Sequence, residues 1–416
     1  MDVRQLVESK ARAARAAAHA LAVCGTRVKD EALAHMARAL EEKTAALLEA
    51  NRADLERART RGLTRAFLDR LTLSEARIEE MANGLRQIAA LPDPVGTVAE
   101  SWRRPNGIEI SRVRVPLGVI AFIYESRPNV TADAAGLCVK SGNAVLLRGG
   151  SEAIESNTLI AAVLAKALEK TGAPPEAIQF VDVTDREAVA AMLEQDRYLD
   201  LVIPRGGEEF VRWVAARSRV PVLKHDRGVV HVFVDADADP EMATAIVLNA
   251  KTQRPSVCNA AESLVVHEAV AREFLPRAAR ALEGVELVGD GASRAIVESI
   301  APASDADFGT EFLALKMSVA VVPSLDAAIA HVNTYGTGHT EAICTTNLEA
   351  ATRFAREVDA AVVVVNASTR FTDGEEFGFG AEIGISTQKL HARGPMGLRE
   401  LTTTKYVVHG EGQIRT

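Results

Sequence analysis

One cysteine, Cys258, lies in a segment that could turn its thiol into a nucleophile. The segment carries two cations, Lys251 and Arg254, and Asn259 follows the cysteine directly. Cations close to a thiol favour the thiolate, which is the reactive form. The segment therefore predicts an enzyme that works through a thiolate, although a lone cysteine more often has no catalytic role. The other cysteines lie in apolar runs and are interpreted as small core residues: Cys24, Cys138 and Cys344.

Two glycine-rich turns follow apolar runs that we interpret as strands. One turn spans 148–151 and reads Arg-Gly-Gly-Ser, and the other contains Gly206 and Gly207. Such a turn lets backbone N–H groups and a helix N-terminus approach a phosphate. Ligands of open α/β sheets bind at the carboxyl ends of strands, where both turns would lie. Neither turn has the spacing Gly-x-Gly-x-x-Gly, and two tight helix starts explain them equally well.

The elements that must position these residues alternate between apolar strands and helices from Gly118 onward. In the first half we predict strands at 119–123, 144–147, 178–181 and 199–203, with helices at 131–140, 152–169, 186–193 and 208–216. Continuous apolar strands separated by helices indicate a parallel sheet covered on both faces. A second α/β region follows, with strands predicted at 229–234, 263–266, 285–288, 319–322, 342–345 and 361–365 and helices at about 240–250, 268–282, 325–334 and 348–357.

Three regions lie outside this alternation of strands and helices: an N-terminal helical region, a hairpin and a C-terminal strand. Residues 3–91 show helical periodicity and are rich in Ala, Leu, Glu and Arg. The next segment, 97–115, reads as two alternating strands joined at Asn106 and Gly107, a strong hairpin signal. We predict either an arm that pairs with another subunit or an ordinary surface hairpin. The β-branched tail at 401–408 could add an edge strand.

Composition narrows the classes of function. The chain has 416 residues and a formal net charge of −8, so no surface for nucleic acid is expected. The four cysteines lack metal-ligand spacing, which predicts no metal site and suits a reducing compartment. We find no signal peptide and no stretch long enough to cross a membrane. These observations predict a soluble cytoplasmic protein without membrane partners.

Several long segments, taken in order, resemble the aldehyde dehydrogenase superfamily. Within it, they are most similar to the branch of reductases that act on the acyl phosphate γ-glutamyl phosphate. Shorter features in the same order agree, among them the Phe-Gly-Phe-Gly run that begins at Phe377. The diagnostic segments are Tyr124-Glu-Ser-Arg-Pro-Asn-Val130, Leu147-Arg-Gly-Gly-Ser-Glu152, Lys251-Thr-Gln-Arg-Pro-Ser-Val-Cys-Asn259 and His391-Ala-Arg-Gly-Pro-Met-Gly397.

The resemblance implies an α/β fold of the aldehyde dehydrogenase type. Its parts would be a Rossmann-like cofactor domain (1–97 and 116–228), an α/β catalytic domain (229–371) and a β-hairpin oligomerisation arm (98–115 and 398–416). The implied activity is the NADPH-dependent reduction of γ-glutamyl phosphate to glutamate 5-semialdehyde and phosphate, a step of proline biosynthesis. The implied partners are the substrate, phosphate and further copies of the chain. The resemblance leaves open whether glutamate 5-kinase is also a partner.

The resemblance also implies a mechanism. Cys258 would displace phosphate to form a thioester, and reduction would then release the aldehyde. The side chain of Asn129 is an expected oxyanion donor beside the Cys258 N–H, although without gaps Arg127 aligns with the superfamily's asparagine. Three cations near the motifs, Arg127, Lys251 and Arg254, are expected to bind the substrate's anionic groups or to form structural ion pairs.

The expected cofactor site rests on a departure from the superfamily pattern. Where the superfamily has Lys-Pro-x-Glu, this chain has Arg-Gly-Gly-Ser at 148–151. The missing carboxylate and the arginine favour NADPH over NADH, and the neighbouring Glu152 opposes that preference. By analogy Glu311 holds the nicotinamide ribose, with a structural role as the alternative. The expected cofactor-binding residues are Arg148, Ser151, Gly206, Gly207 and Glu311.

A second departure concerns the glutamate that activates water in hydrolytic members of the superfamily. The matching place reads Lys-His-Asp-Arg-Gly at 224–228, which lacks that glutamate. The loss suits a reductase, because water would waste the thioester. Two other functions stay open, namely a coenzyme A-acylating aldehyde dehydrogenase and a non-catalytic nucleotide-binding protein. The intact Cys258 segment argues against the second.

Overall fold

A computed structural model describes residues 2–125, 127–224 and 227–415. The chain divides into two compact units. The first comprises Met1–Lys224, Phe379–Ile383 and Met396–Thr416, and the second comprises His225–Gly378 and Gly384–Pro395. Within the described residues, no helix is both long enough and apolar enough to span a bilayer.

Helices and strands alternate through most of the chain, as predicted for an α/β protein. The helices are α1 (Val3–Leu21), α2 (Thr26–Glu42), α3 (Thr44–Thr60), α4 (Arg65–Leu71), α5 (Glu75–Ala90), α6 (Asn129–Lys140), α7 (Ile154–Glu169), α8 (Glu187–Leu193), α9 (Glu208–Arg217), α10 (Pro240–Thr252), α11 (Glu268–Ala281), α12 (Gly291–Ile296), α13 (Asp305–Phe308), α14 (Leu325–Tyr335) and α15 (Leu348–Glu357). The strands are β1 (Val98–Arg103), β2 (Glu109–Pro116), β3 (Val119–Tyr124), β4 (Ala144–Arg148), β5 (Ile178–Phe180), β6 (Leu201–Arg205), β7 (Val230–Val234), β8 (Ala261–His267), β9 (Glu286–Gly289), β10 (Ala301–Pro302), β11 (Lys316–Val322), β12 (Thr340–Cys344), β13 (Val362–Val365), β14 (Gly384–Ser386), β15 (Gly394–Met396) and β16 (Thr402–His409).

The first unit is built on a four-stranded parallel sheet in the order β5-β4-β3-β6. All six residues of β3 are buried, because helices cover both faces of a parallel sheet. The chain proceeds outward from β3 to β5 and then returns to place β6 on the other side of β3. This reversal creates a crevice outside the carboxyl ends of β3 and β6, where such sheets bind ligands.

A separate three-stranded antiparallel sheet, in the order β1-β2-β16, belongs to the same unit. It joins the predicted hairpin to the predicted tail strand. Its turn requires Gly107, whose φ is 88°, a value that favours glycine. All six residues of β1 are exposed. The role of this sheet in oligomerisation stays a prediction.

The second unit is built on a seven-stranded parallel sheet in the order β10-β9-β11-β8-β7-β12-β13. Side chains of one strand alternate between its two faces, so neighbours enter different cores. Val232 and Val234 pack with Phe274 in one core, whereas Phe233 packs with Phe354 in the other. Helices α10 and α11 supply the first core, and α14 and α15 supply the second.

Candidate active site

Cys258 lies in the second unit on the loop between α10 and β8. The next residue, Asn259, is buried and holds the loop in place. Its side-chain amide donates to the carbonyl of Thr372 at 2.7 Å, and its own carbonyl accepts from the Thr369 hydroxyl at 2.7 Å. The loop is thus fixed beside Cys258, while Cys258 itself stays partly exposed.

One arginine, Arg370, interacts by charge both with Cys258 and with a second arginine, Arg254. Arg370 donates from Nε to the side chain of Gln253 at 2.8 Å. The pKa of Arg370 is lowered by burial and then by the like charge of Arg254, whereas the negative charges of Asp373 and the Cys258 thiolate act in the opposite direction. The attraction is mutual, so Arg370 favours the thiolate form of Cys258.

Arg254 was predicted from the sequence, whereas Arg370 was not. A signal was present, because Arg370 is the only Lys or Arg between 357 and 388. It stands directly before the glycine- and aromatic-rich segment at 373–380. A lone cation beside a loop that is typical of ligand-binding sites could have been predicted to bind the substrate.

Gly228 packs its backbone against the nucleophile loop. A Cβ atom at this position would overlap the carbonyl oxygen of Cys258. The Gly228 N–H donates to the Glu311 carboxylate at 2.9 Å, and the next N–H, of Val229, donates to the Thr337 hydroxyl at 3.1 Å. Glu311, the expected ribose ligand, therefore supports the loop behind Cys258. Two residues of the predicted 224–228 segment, His225 and Asp226, lie outside the described residues.

Replacing Gly228 with alanine is expected to lower kcat by about 10²-fold, because a shift of about 1 Å at a catalytic group costs this much. The new methyl group would meet backbone, which cannot rotate away. Gly291→Ala is the matched control in the same unit, since a Cβ there meets nothing within 4 Å. Steady-state assays of both variants check this, and equal kcat values for the two would contradict it.

Lys251 lies in the protein interior, where it forms an ion pair with Glu262. Its side chain is 0% exposed, and its ammonium lies 2.6 Å from the carboxylate of Glu262, which is 1% exposed. Burial lowers the pKa of Lys251 and raises that of Glu262 to about 7. Lys251 thus forms the structural ion pair that the sequence left open as the alternative to substrate binding.

In the first unit, the turn after β4 contains the guanidinium of Arg148, two glycines and the carboxylate of Glu152. Arg148 ends β4, and its pKa is lowered mainly by burial, with Glu152 raising it and Arg186 lowering it. The Arg148 Nε is buried and has no hydrogen-bond partner among the described residues. Ser151 begins a short 3₁₀ helix that leads into α7. Side chains at either glycine of this turn would collide with Asn157 or Glu152.

The second glycine turn follows β6 and precedes α9. Gly207 caps α9, and a Cβ at Gly206 would lie 3.0 Å from the carboxyl carbon of Glu125. The Gly207 N–H donates to the Glu125 carboxylate, whose pKa is raised by burial and by Glu152. This turn lies at the crevice defined by β3 and β6, although Glu125 already engages one of its N–H groups.

The start of α6 carries the expected oxyanion donor. Asn129 is exposed, and its side-chain amide donates to Asp133 at 3.0 Å. An asparagine amide has two hydrogens, so one can still serve a ligand. Burial raises the pKa of Asp133 to about 6, and the hydrogen bond from Asn129 opposes that rise. Arg127 is exposed just before this helix.

The structure thus divides the predicted residues into two groups. Cys258, Arg254 and Glu311 belong to the second unit together with Gly228 and Arg370. The remaining residues, except the buried Lys251, lie at carboxyl ends of strands in the first unit: Arg127, Asn129, Arg148, Ser151, Gly206 and Gly207. Within the described residues, no three His, Cys, Asp or Glu side chains are arranged to hold a metal ion.

Comparison with known proteins supports the class that this fold and thiol site indicate. The aldehyde dehydrogenase family model matches residues 2–307 and 305–407. The chain therefore belongs to the aldehyde dehydrogenase family, as its sequence motifs predicted, and its α/β fold is of that type. An acetylating aldehyde dehydrogenase from Geobacillus thermoglucosidasius shares this fold, with a TM-score of 0.70 at 18% identity over 100% of this chain and 98% of that chain.

More similar relatives are gamma-glutamyl phosphate reductases. The enzyme of that name from Moorella thermoacetica is 57% identical over 417 aligned positions, with 100% of each chain covered. The crystal structure of gamma-glutamyl phosphate reductase from Thermotoga maritima superimposes with a TM-score of 0.97 at 49% identity, covering 99% of this chain and all of that one. The chain is thus an oxidoreductase of the aldehyde dehydrogenase type.

Membership of this family implies a nicotinamide cofactor. The first unit fits such a group, because its sheet has the chain reversal at which dinucleotides bind. Its glycine turn at 149–150 has no room for side chains, and in the part of the chain that the structure describes the buried Nε of Arg148 lacks a partner. These residues provide a backbone approach and a cation for an anionic group.

Proposed function

We propose that this chain reduces γ-glutamyl phosphate to glutamate 5-semialdehyde and phosphate with NADPH, as a step of proline biosynthesis. The observation that carries the proposal is the thiol of Cys258 on a loop that also carries Arg254, with Arg370 of a separate segment close enough to interact with both by charge. Such a pair of guanidinium groups suits a substrate with a carboxylate and a phosphate. The names of the full-length relatives point to the same substrate.

The first step is an attack of the Cys258 thiolate on the acyl carbon. The new S–C bond forms as the C–O bond to phosphate breaks, and phosphate leaves with the electron pair. Arg254 and Arg370 favour this step, since they stabilise both the thiolate and the departing phosphate. The Cys258 N–H is the proposed donor to the oxyanion, with Asn129 as the proposed side-chain donor.

The second step discharges the thioester to the aldehyde. A bound nicotinamide cofactor supplies the hydride for this reduction. Collapse of the thiohemiacetal then returns the electron pair to the Cys258 sulfur and releases glutamate 5-semialdehyde. In this step Arg370 again favours the thiolate, which makes Cys258 a better leaving group.

The thioester is proposed to be protected from water because the segment 224–228 has no glutamate to activate it. Gly228 rests on the Cys258 carbonyl and has no side chain that could activate water. The neighbouring Glu311 uses one carboxylate oxygen to accept the Gly228 N–H. Phosphate is therefore the natural acceptor of the acyl group in the reverse reaction.

The preference for NADPH is proposed to rest on Arg148. Its guanidinium lies close enough to Arg186 for their charges to interact. Two cations at the end of β4 would offset Glu152 and attract the 2′-phosphate that distinguishes NADPH from NADH.

Replacing Arg148 with alanine is expected to raise KM for NADPH by about 10- to 100-fold, the loss typical of one charge-assisted contact. KM for NADH should change little, so the second cofactor serves as an internal control. Steady-state kinetics with both cofactors provide the check. A parallel loss with NADH would mean that Arg148 supports the fold and not the choice of cofactor.

One assay separates this function from its alternatives. Purified protein is incubated with glutamate 5-semialdehyde and NADP⁺, with phosphate, with coenzyme A or with neither. We expect NADPH to form beyond one equivalent per enzyme only when phosphate is present, because phosphate must release the acyl group from Cys258. Dependence on coenzyme A would identify an acylating aldehyde dehydrogenase, and no turnover under any condition would favour a non-catalytic protein.

A further inference from the structure

We infer that the buried ion pair of Lys251 and Glu262 positions the nucleophile loop, so that both are positioning residues for Cys258. This inference rests on the proposed function, since it assigns the pair a part in the reactivity of that thiol. Neither side chain is exposed to any substrate. Their effect must therefore reach Cys258 through the chain and its contacts.

The pair closes the base of the loop that carries the thiol. Lys251 belongs to the last turn of α10, and Glu262 is the second residue of β8, so they flank the loop on either side of Cys258. Their charged atoms lie 2.6 Å apart in a fully buried setting. Buried charges are strongly attracted when paired and costly when separated, so the two ends of the loop are held together.

Glu262 also connects the loop to a second segment of the site. Its other carboxylate oxygen accepts the N–H of Leu313 at 3.1 Å. Leu313 has a φ of 52°, a left-handed conformation that is unfavourable for leucine and must be held by its surroundings. Two residues earlier, Glu311 accepts the N–H of Gly228, whose backbone rests on the Cys258 carbonyl.

These contacts form a closed circuit around the nucleophile. It runs from Cys258 through its loop to Glu262, then through Leu313 to Glu311, and back through Gly228 to the Cys258 carbonyl. A hydrophobic pair could close the base of the loop, but it could not accept the Leu313 N–H. The carboxylate of Glu262 is therefore the group that joins both halves of the circuit.

The test measures the thiol itself. The rate of alkylation of Cys258 by iodoacetamide is followed against pH by peptide mass spectrometry, alongside kcat. We expect Glu262→Gln to slow alkylation and turnover by about 10- to 100-fold and to move the pH profile of alkylation upward, because a displaced loop separates the thiol from Arg370. An unchanged profile in a folded variant would overturn the inference.

Two further variants separate positioning from stability. Asp93→Asn breaks a matched buried pair in the first unit, where Lys29 and Asp93 are also 2.6 Å apart, and should leave Cys258 alkylation unchanged. The double variant K251M/E262L removes both charges and should regain melting temperature relative to Glu262→Gln, but not alkylation rate. Slow alkylation in Asp93→Asn, or full recovery of the rate in the double variant, would show that the pair only stabilises the fold.

The same alkylation experiment tests the proposed function separately. In the wild-type protein, alkylation of Cys258 should abolish reductase activity in step with modification. If activity survived complete modification, the proposed role of Cys258 would fail whatever the variants showed. If activity is lost but Glu262→Gln alkylates at the wild-type rate, only the inference about the pair fails.

Discussion

Replacing Cys258 with alanine is expected to lower kcat by at least about 10⁴-fold, the scale of loss seen when an enzyme loses its covalent nucleophile. Without the thiol no thioester can form, because the loop carries no second cysteine. Cys258 is only partly buried, so the free energy of unfolding should change by no more than about 1 kcal/mol. Steady-state assays and thermal unfolding of the same preparation measure both quantities.

A second cysteine provides the matched control for this substitution. Cys24 lies in the first unit, where its thiol donates to the carbonyl of Ala20 and burial raises its pKa. Cys24→Ala should retain full activity. Turnover by Cys258→Ala near the wild-type rate would show that Cys258 is not the nucleophile. Equal losses of activity in both variants would indicate damage to the fold.

Replacing Arg370 with alanine is expected to lower kcat/KM for γ-glutamyl phosphate by about 10²- to 10³-fold, the usual effect of removing one partner of a charged contact. The variant loses the cation that interacts by charge with the Cys258 thiolate and that we propose to bind the anionic substrate. In the reverse reaction KM for phosphate should rise. Arg370→Lys should recover part of the loss, because it keeps the charge but not the planar fork of donors.

An exposed arginine of the same unit is the control. Arg356 on α15 pairs with Glu357 at the surface, and Arg356→Ala should leave kcat/KM unchanged. Initial-rate measurements at several phosphate concentrations compare the variants. If Arg370→Ala kept the wild-type KM for phosphate and the wild-type kcat, Arg370 would have no part in recognising the substrate.

The main strands were predictable because their sequence signals are local. An apolar run bounded by turns predicted β3, β4 and β7, each within about a residue of its observed ends. The short elements α12, β10 and α13 were missed. They contain too few residues to show periodicity, and contacts such as the cap that Asp290 gives α12 define them.

The site could be predicted only where its residues are neighbours in sequence. Cys258 was predicted because cations lie near it in its own segment, and one of these cations, Arg254, was predicted with it. Arg370 comes from a different segment, so its place beside them depends on the fold. For Lys251 the sequence left two roles open, substrate binding and a structural ion pair, and only the fold shows its pairing with Glu262 in the protein interior.

The central claim is that a thioester on Cys258 exchanges with phosphate and not with water. The most direct measurement mixes the enzyme with glutamate 5-semialdehyde and NADP⁺ in phosphate-free buffer and follows the Cys258 peptide by mass spectrometry. We predict that the peptide gains the γ-glutamyl group, keeps it in phosphate-free buffer and loses it rapidly when phosphate is added. A modification on another residue, or loss of the group at the same rate without phosphate, would contradict the account.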